Sequence, residues 1–126
     1  MVKGRLLYFE MKPRLLKEKS YKFSIRIVRL YQFLIKEKKE LILGKQILRS
    51  GTSIGANIAE AQDAPSNADF TNKLNIALTE ARQTEYWLSI LKDTGYLEEV
   101  MYNPLNQDCS ELIKLLIAII KKIRSK

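Results

Sequence analysis

Residues 49–61 read RSGTSIGANIAEA, and this stretch decides the fold that the rest of the chain can take. Small residues (Gly, Ala, Ser or Thr) fill eight of the twelve positions 50–61, yet apolar residues recur around them at spacings of three and four. That period places the apolar residues on one stripe of an α-helix. Inside a helix, Gly51 and Gly55 each cost about 1 kcal/mol relative to alanine. We therefore expect this helix to recover the energy by approaching another helix closely.

A polar stripe runs beside the apolar one. An unpaired buried polar group costs about 1–3 kcal/mol, so these side chains need water or partners. The nearest candidates are Glu80, Arg82 or Glu85 on the following helix. The predicted structural polar network consists of Arg49, Ser53, Asn57, Glu60, Glu80 and Glu85.

Several residues of this stretch form a recurring pattern that continues into the rest of the chain. They are Arg49, Ser53, Ile54, Asn57, Ile58, Ala59 and Glu60, followed by Ser66, Phe70, Glu80, Gly95 and Tyr96. In these residues the chain resembles a family of small four-helix-bundle proteins related to those encoded by intervening sequences in bacterial 23S ribosomal RNA genes. The resemblance spans about residues 20–124. It implies a ring-like homopentamer, and some relatives are nucleic-acid-binding accessory subunits of reverse transcriptases in diversity-generating retroelements.

The periodicity independently predicts an all-α fold, an antiparallel up-and-down four-helix bundle. Helices are predicted over residues 20–36, 40–62, 66–93 and 105–124, the last with a possible helical segment from residue 97. Ser66 is the expected N-cap of the third helix and Gly95 its terminating glycine. A second apolar stripe on the third helix exceeds what a monomeric bundle needs. We therefore expect one of the two stripes to contact another copy of the chain, and the family resemblance implies that the copies form a ring-like homo-oligomer.

The N-terminal residues 1–19 are basic and have no sustained period. They are predicted to form a flexible arm in front of a bundle domain of residues 20–126, and Met11 is an alternative natural start. The net charge of +8 is unevenly distributed: residues 1–49 hold fourteen Lys or Arg and four acids, and residues 50–111 hold three and ten. Such polarity suits either a polyanion ligand or an assembly in which basic and acidic surfaces meet.

A cationic stripe on the first helix is the candidate nucleic-acid site. Cations one helical turn apart can follow phosphates, and Phe33 among them could stack on a base. The alternative is a solvated helix face, with Phe33 packed on a neighbouring subunit. The predicted nucleic-acid-binding residues are Lys22, Arg26, Arg29 and Lys36, followed by Lys38 and Lys39.

An enzyme is not expected. The chain has no histidine, and its single cysteine, Cys109, lies on a predicted core stripe without a base to form a thiolate. Neither a zinc ligand set nor a phosphate-binding glycine loop is present, so no metal or cofactor is expected. Catalysis by Glu60, Glu80 or Glu85 remains a minor alternative. No membrane-spanning run occurs, and a cytoplasmic location is the default expectation.

The leading functional hypothesis is a homo-oligomeric, non-catalytic protein that binds RNA or DNA through its basic surface. A reverse transcriptase or another nucleic-acid-processing enzyme is its possible partner. The alternative is a protein–protein scaffold or adaptor whose basic half contacts the acidic half of its neighbour. The positions of the charges on the folded chain discriminate between the two hypotheses.

Overall fold

The computed structural model describes the backbone of residues 2–125 and the side chains of residues 12–125. Over that range the chain has four α-helices and no strand. They are α1 (Val2–Lys38), α2 (Ile42–Ala61), α3 (Asn67–Asp93) and α4 (Glu99–Arg124). Connections of three to five residues join them. The predicted all-α class with four helices is confirmed.

Consecutive helices lie side by side, and α4 returns to contact α1. Along each pair of neighbouring helices, the residue numbers of one helix rise while those of their partners fall, so the neighbours are antiparallel. Lys19 and Arg26 on α1, for example, pair with Glu111 and Asp108 on α4, in reverse order. The chain is thus a four-helix bundle with up-and-down connections.

Helix α2 packs onto α1 through its glycines. A Cβ atom on Gly51 would lie 2.7 Å from Ile27 Cγ2, and one on Gly55 would lie 2.8 Å from Ser24 Oγ and 3.3 Å from the Ser20 carbonyl oxygen. Real Cβ atoms do not approach other atoms so closely, so the absence of side chains lets the two backbones come together. The close helix contact predicted for residues 49–61 is confirmed within the chain.

Aliphatic side chains from all four helices fill the centre of the bundle. Burying one such side chain stabilises the fold by about 1.5–3 kcal/mol, so the core carries most of the favourable free energy. Its largest fully buried members include Ile27, Leu34, Ile47, Ile54, Ile58, Leu74, Leu88, Leu112 and Leu116.

The ends of α3 follow the sequence signals. Ser66 caps the first turn, where its hydroxyl oxygen accepts from the Asp69 N–H at 3.1 Å. At the other end, Gly95 has φ +84°, and the Tyr96 N–H donates to the Leu91 carbonyl at 2.8 Å. That arrangement is a Schellman motif, in which a left-handed glycine satisfies the last carbonyls of a helix. Both predicted boundaries of α3 are confirmed.

Helix α1 is longer than its periodicity predicts. It begins at Val2 and continues through Pro13, whereas the sequence predicts a start at residue 20. The buried side chains of Leu16 and Ser20 hold the segment against the bundle, but two such contacts are too few to give a visible period. Residues 12–19 therefore belong to α1. The side chains of residues 1–11 lie outside the described residues, so a flexible arm there stays a prediction.

Helix α4 also starts earlier, at Glu99, and includes Pro104 as its sixth residue. Proline removes one backbone hydrogen bond, to the carbonyl four residues before it. Here that carbonyl belongs to Val100, a residue on the surface with 75% of its area exposed. Water can solvate a carbonyl at the surface, so the helix tolerates the proline.

Candidate nucleic-acid interface

The six cations predicted to contact nucleic acid are all exposed. They lie on α1 or directly after it: Lys22, Arg26, Arg29, Lys36, Lys38 and Lys39. Three of them, Lys22, Arg29 and Lys36, are seven residues apart, which is close to two helical turns. We call these three residues the α1 cation row. At 1.5 Å of rise per residue the row is about 21 Å long.

Arg26 differs from the row because its charge is already neutralised. Its guanidinium group donates to the carboxylate of Asp108 on α4. Lys19 forms a second ion pair across the same helix contact, with 3.0 Å between its Nζ and the Glu111 carboxylate. Among the side chains of residues 12–125, the α1 cation row has no ion-pair partner. The row is therefore the part of the predicted stripe that can attract a polyanion.

Phe33 is half-buried and packs against the core rather than standing free among the cations. The Lys38 Nζ lies 6.0 Å from the centre of its ring, at the outer limit for a cation–π contact. Stacking of a base on Phe33 therefore stays a prediction, with only part of the ring open to a ligand. Spacing alone does not reveal how much of the ring the core covers.

A shallow cavity of about 260 Å³ lies between α1 and the first turns of α4, next to the α1 cation row. Arg29 and Arg26 form one wall, and Val100, Met101 and Pro104 form the other. Since Arg26 is paired with Asp108, Arg29 supplies the available charge of this cavity. An anion placed there would meet one guanidinium group above an apolar floor.

The polar network predicted between α2 and α3 forms around Arg49. Its guanidinium group donates to Glu80 at 3.0 Å and to Gln83 at 2.7 Å. Further along the same pair of helices, Lys73 donates to Glu60 at 2.6 Å. Sequence analysis did not anticipate Gln83 or Lys73 as partners, because several residues on α3 have compatible spacing.

Ser53 and Asn57 bond within α2 instead of reaching α3. The Ser53 hydroxyl donates to the Arg49 carbonyl at 2.6 Å, and the Asn57 amide donates to the Ser53 carbonyl at 2.8 Å. Glu85 stands apart from the network, near Cys109. The six predicted network residues are thus divided among four separate places: the Arg49–Glu80 pair, Glu60 with Lys73, the backbone of α2, and the surroundings of Cys109.

The buried polar contact between α2 and α3 involves a different pair of residues. Ser50 and Thr84 are both fully buried, and their hydroxyl oxygens are hydrogen-bonded at 3.0 Å. The Thr84 hydroxyl also lies 2.8 Å from the Glu80 carbonyl. The periodicity placed Thr84 on the apolar seam and Ser50 on the polar stripe, so their contact was not predicted.

Cys109 is fully buried, and its thiol donates to the Ala81 carbonyl at 3.3 Å. Burial, and to a smaller extent the nearby charges of Glu85 and Asp108, raise its pKa to about 12. At neutral pH the thiol is therefore protonated. Because only the thiolate is a good nucleophile, Cys109 is suited to a core position.

A second concave surface lies on the outer side of α2 and α3 and was not identified from the sequence. It holds a cavity of about 550 Å³, lined mainly by Gln46, Arg49, Arg82, Gln83, Tyr86 and Trp87. We call this the α2–α3 pocket. Arg82 and Tyr86 are four residues apart on one helix, which is a signal too common to single them out.

Neither a candidate metal site nor a helix able to cross a membrane occurs in the described part of the chain. No group of three or more Cys, Asp or Glu residues there could hold a metal ion. None of the helices in that part has the length and apolar character needed to cross a membrane.

Comparisons with known proteins agree with this architecture. The sequence profile of the 23S rRNA-intervening sequence protein family matches residues 15–118. Among solved structures, the chain is similar to a protein of unknown function from the S23 ribosomal protein family of Bacteroides thetaiotaomicron. The two share 58% identity with a TM-score of 0.86, over 87% of this chain and 98% of that one. A comparison with curated protein sequences finds no match.

Proposed function

Since this chain belongs to the 23S rRNA-intervening sequence protein family, we propose that it is a non-catalytic, cytoplasmic protein that binds RNA or DNA as a homo-oligomer. The observation that carries the proposal is the α1 cation row, Lys22, Arg29 and Lys36. Its three charges are exposed and have no ion-pair partner among residues 12–125. Cations that neutralise phosphates release counterions, and this supplies most of the sequence-independent affinity for nucleic acid.

The geometry of the row fits a nucleic-acid backbone better than a small anion. Its length of about 21 Å corresponds to about six base pairs of duplex at 3.4 Å each. Lys38 at the last position of α1, Lys39 directly after it and Lys45 near the start of α2 add three exposed cations at this end of the helix. A ligand with many phosphates can contact several cations at once, which a small anion cannot.

Self-association forms the second half of the proposal. Tyr21, Ile25 and Val28 on α1 are exposed on successive turns. Tyr21 lines a cavity together with Ala56 and Ala59 of α2. Exposed apolar patches of this kind mark contacts with other proteins when they are large and contiguous. We propose a second copy of the chain as the occupant, because the basic half of one copy complements the acidic half of another. A ring of five is the arrangement that the family resemblance implies.

The scaffold alternative has one observation in its favour. Arg26–Asp108 and Lys19–Glu111 already join basic α1 to acidic residues of α4, so part of the charge polarity serves the fold itself. Under this alternative, the oligomer would bind another protein instead of a nucleic acid. Co-purification with a reverse transcriptase encoded nearby, with and without nuclease treatment, distinguishes a direct protein contact from one bridged by nucleic acid.

The proposal is tested by binding of a labelled structured RNA and a labelled DNA duplex at 50 and 200 mM salt. We expect binding that weakens steeply with salt, and the triple variant Lys22→Gln, Arg29→Gln, Lys36→Gln should lower the logarithmic salt slope by roughly 0.9 per cation removed. Lys73→Gln is the control for a single charge, because it removes one positive charge on the α2–α3 side. If neither the RNA nor the DNA duplex binds at 50 mM salt, the proposal is refuted.

The oligomer is tested by light scattering of the purified chain. A mass of several copies is expected, and five copies would agree with the ring that the resemblance implies. Substitution of Val28 by Glu places a charge in the exposed apolar surface and should reduce the mass. A monomer at micromolar concentration would refute self-association while leaving nucleic-acid binding open to the first test.

A further inference from the structure

The α2–α3 pocket contains an exposed aromatic ring among hydrogen-bonding side chains. Tyr86 has 59% of its surface exposed. The half-buried Trp87 lies edge to face with it, with 5.2 Å between ring centres and 76° between ring planes. This contact fixes one side of the Tyr86 ring and leaves the rest of it facing the cavity.

The hydrogen-bond donors around this ring are held in place by a network. Arg49 donates one nitrogen to Glu80 and the other to Gln83, at 3.0 and 2.7 Å. Because Gln83 accepts through its amide oxygen, its NH₂ group has two protons free for another partner. Gln46 lines the same cavity with a second side-chain amide. The pocket therefore offers amide groups that can pair with the polar edge of a flat ligand.

The pocket also has a charge that the fold does not use. Arg82 is exposed, lies one turn before Tyr86 on α3, and has no ion-pair partner among residues 12–125. Arg49, by contrast, is balanced by Glu80. Arg82 can thus supply the net positive charge of the cavity.

We propose that the α2–α3 pocket binds one nucleotide of a single-stranded nucleic acid. The base stacks on Tyr86, the amide of Gln83 donates to an acceptor on its edge, and Arg82 contacts a neighbouring phosphate. Base stacking on an aromatic side chain needs an unstacked base, which a single strand presents and a duplex does not. This inference rests on the proposed function, and it assigns single strands to a different face from the α1 cation row.

The cavity volume fits this ligand. About 550 Å³ lies within the range of ligand pockets and accommodates one nucleotide unit. The combination of an aromatic platform, side-chain amides and an unpaired arginine is also characteristic of single-strand recognition. A second copy of the chain is the rival occupant, and the experiment below separates the two.

The single tryptophan of the chain provides the measurement. Trp87 contacts Tyr86, so a base that stacks in the pocket should change its fluorescence. The probe is a twelve-residue oligouridylate, with inorganic phosphate and a twelve-base-pair DNA duplex as comparisons. We expect saturable quenching with oligouridylate only.

Variants then assign the effect to individual groups. Tyr86→Ala should weaken oligouridylate binding about tenfold, the range expected for loss of one stacked base, whereas Tyr86→Phe should retain it. Arg82→Gln should lower the logarithmic salt slope by roughly 0.7. Arg29→Gln on the α1 cation row should weaken duplex binding and leave the quenching in place.

Two outcomes would overturn the inference and still leave the proposed function standing. In the first, the chain binds structured RNA but Tyr86→Ala binds oligouridylate as well as the unmodified chain does. In the second, Tyr86→Ala lowers the mass of the oligomer in light scattering, which would identify the pocket as a contact between copies. If no nucleic acid of any kind binds, the proposed function fails together with the inference.

Discussion

Gly51 of α2 and Ile27 of α1 are in contact where the two helices approach most closely. A Cβ atom on Gly51 would lie 2.7 Å from Cγ2 and 2.8 Å from Cγ1 of Ile27. Ile27 is fully buried and branched at Cβ, so it has little freedom to move aside. The glycine is therefore required by the position of a neighbouring side chain, and its helix propensity is secondary.

Gly51→Ala should destabilise the chain although alanine is the better helix former. Overpacking of this kind costs about 1–3 kcal/mol, and the gain in helix propensity returns about 1 kcal/mol. The net loss in the free energy of unfolding, measured by urea denaturation, should be up to about 2 kcal/mol. Gly44→Ala is the control, since its Cβ would meet Tyr31 at 3.4 Å, an ordinary contact. A stabilised Gly51→Ala variant would contradict the close packing described for these helices.

The buried hydroxyl pair of Ser50 and Thr84 gives a second prediction. Thr84→Val keeps the shape of the side chain but leaves Ser50 without its partner, which should cost about 1–3 kcal/mol of unfolding free energy. Replacing both residues, as Ser50→Ala with Thr84→Val, should cost less than the sum of the single changes. A double-mutant cycle from four denaturation curves measures this coupling. Additive effects would mean that the hydroxyls do not stabilise each other.

The existence and boundaries of α2 and α3 could be predicted from the sequence because their signals are local. Ser66 and Gly95 mark the ends of α3 through bonds to residues three to five positions away. Gly51 and Gly55 also predicted a close neighbour, since their cost in a helix needs compensation. The sequence did not name that neighbour, because contact with α1 depends on how separate helices pack.

The candidate site was harder to predict, because charge pairing depends on which helix faces which. Arg26 and Arg29 look equivalent in the sequence, yet only Arg26 lies opposite Asp108. Phe33 matches the spacing of the cations, but it is partly buried against the core. Tyr86 carried no signal at all, since one exposed aromatic residue on a helix is unremarkable before its neighbours are known.

Cys109 gives a prediction on reactivity. As the only cysteine of the chain, it should resist a maleimide or disulfide reagent at pH 8 in the folded state and react once urea unfolds the protein. The reason is burial of a thiol whose pKa is about 12. Labelling monitored by mass spectrometry checks this. Rapid modification of the folded chain would show that the α3–α4 contact opens easily.

The same thiol makes stability depend on pH in a defined direction. The unfolded thiol ionises near pH 9.0 and the folded thiol near pH 12, so between these values the folded state holds the proton more tightly. Stability should therefore be complete below pH 9 and fall above it, by up to about 1.4 kcal/mol per pH unit. Urea denaturation at pH 8 and at pH 10.5 measures the change in stability for the unmodified chain and for Cys109→Ala. The difference between the two proteins isolates the contribution of the thiol, because every other titratable group is present in both proteins. Equal pH dependence in the two proteins would contradict the assignment.

Asp108 controls whether Arg26 is available to a ligand. Asp108→Asn removes the carboxylate that neutralises Arg26, so it should strengthen RNA binding and steepen the logarithmic salt slope by roughly 0.7–0.9. The fold should survive, since an exposed ion pair contributes only about 0–1 kcal/mol. Glu60→Gln is the matched control: it removes the same charge and releases Lys73, but on the α2–α3 side. If both variants raise the affinity equally, net charge alone governs binding; a larger effect of Asp108→Asn locates the RNA on α1, where Arg26 would extend the α1 cation row.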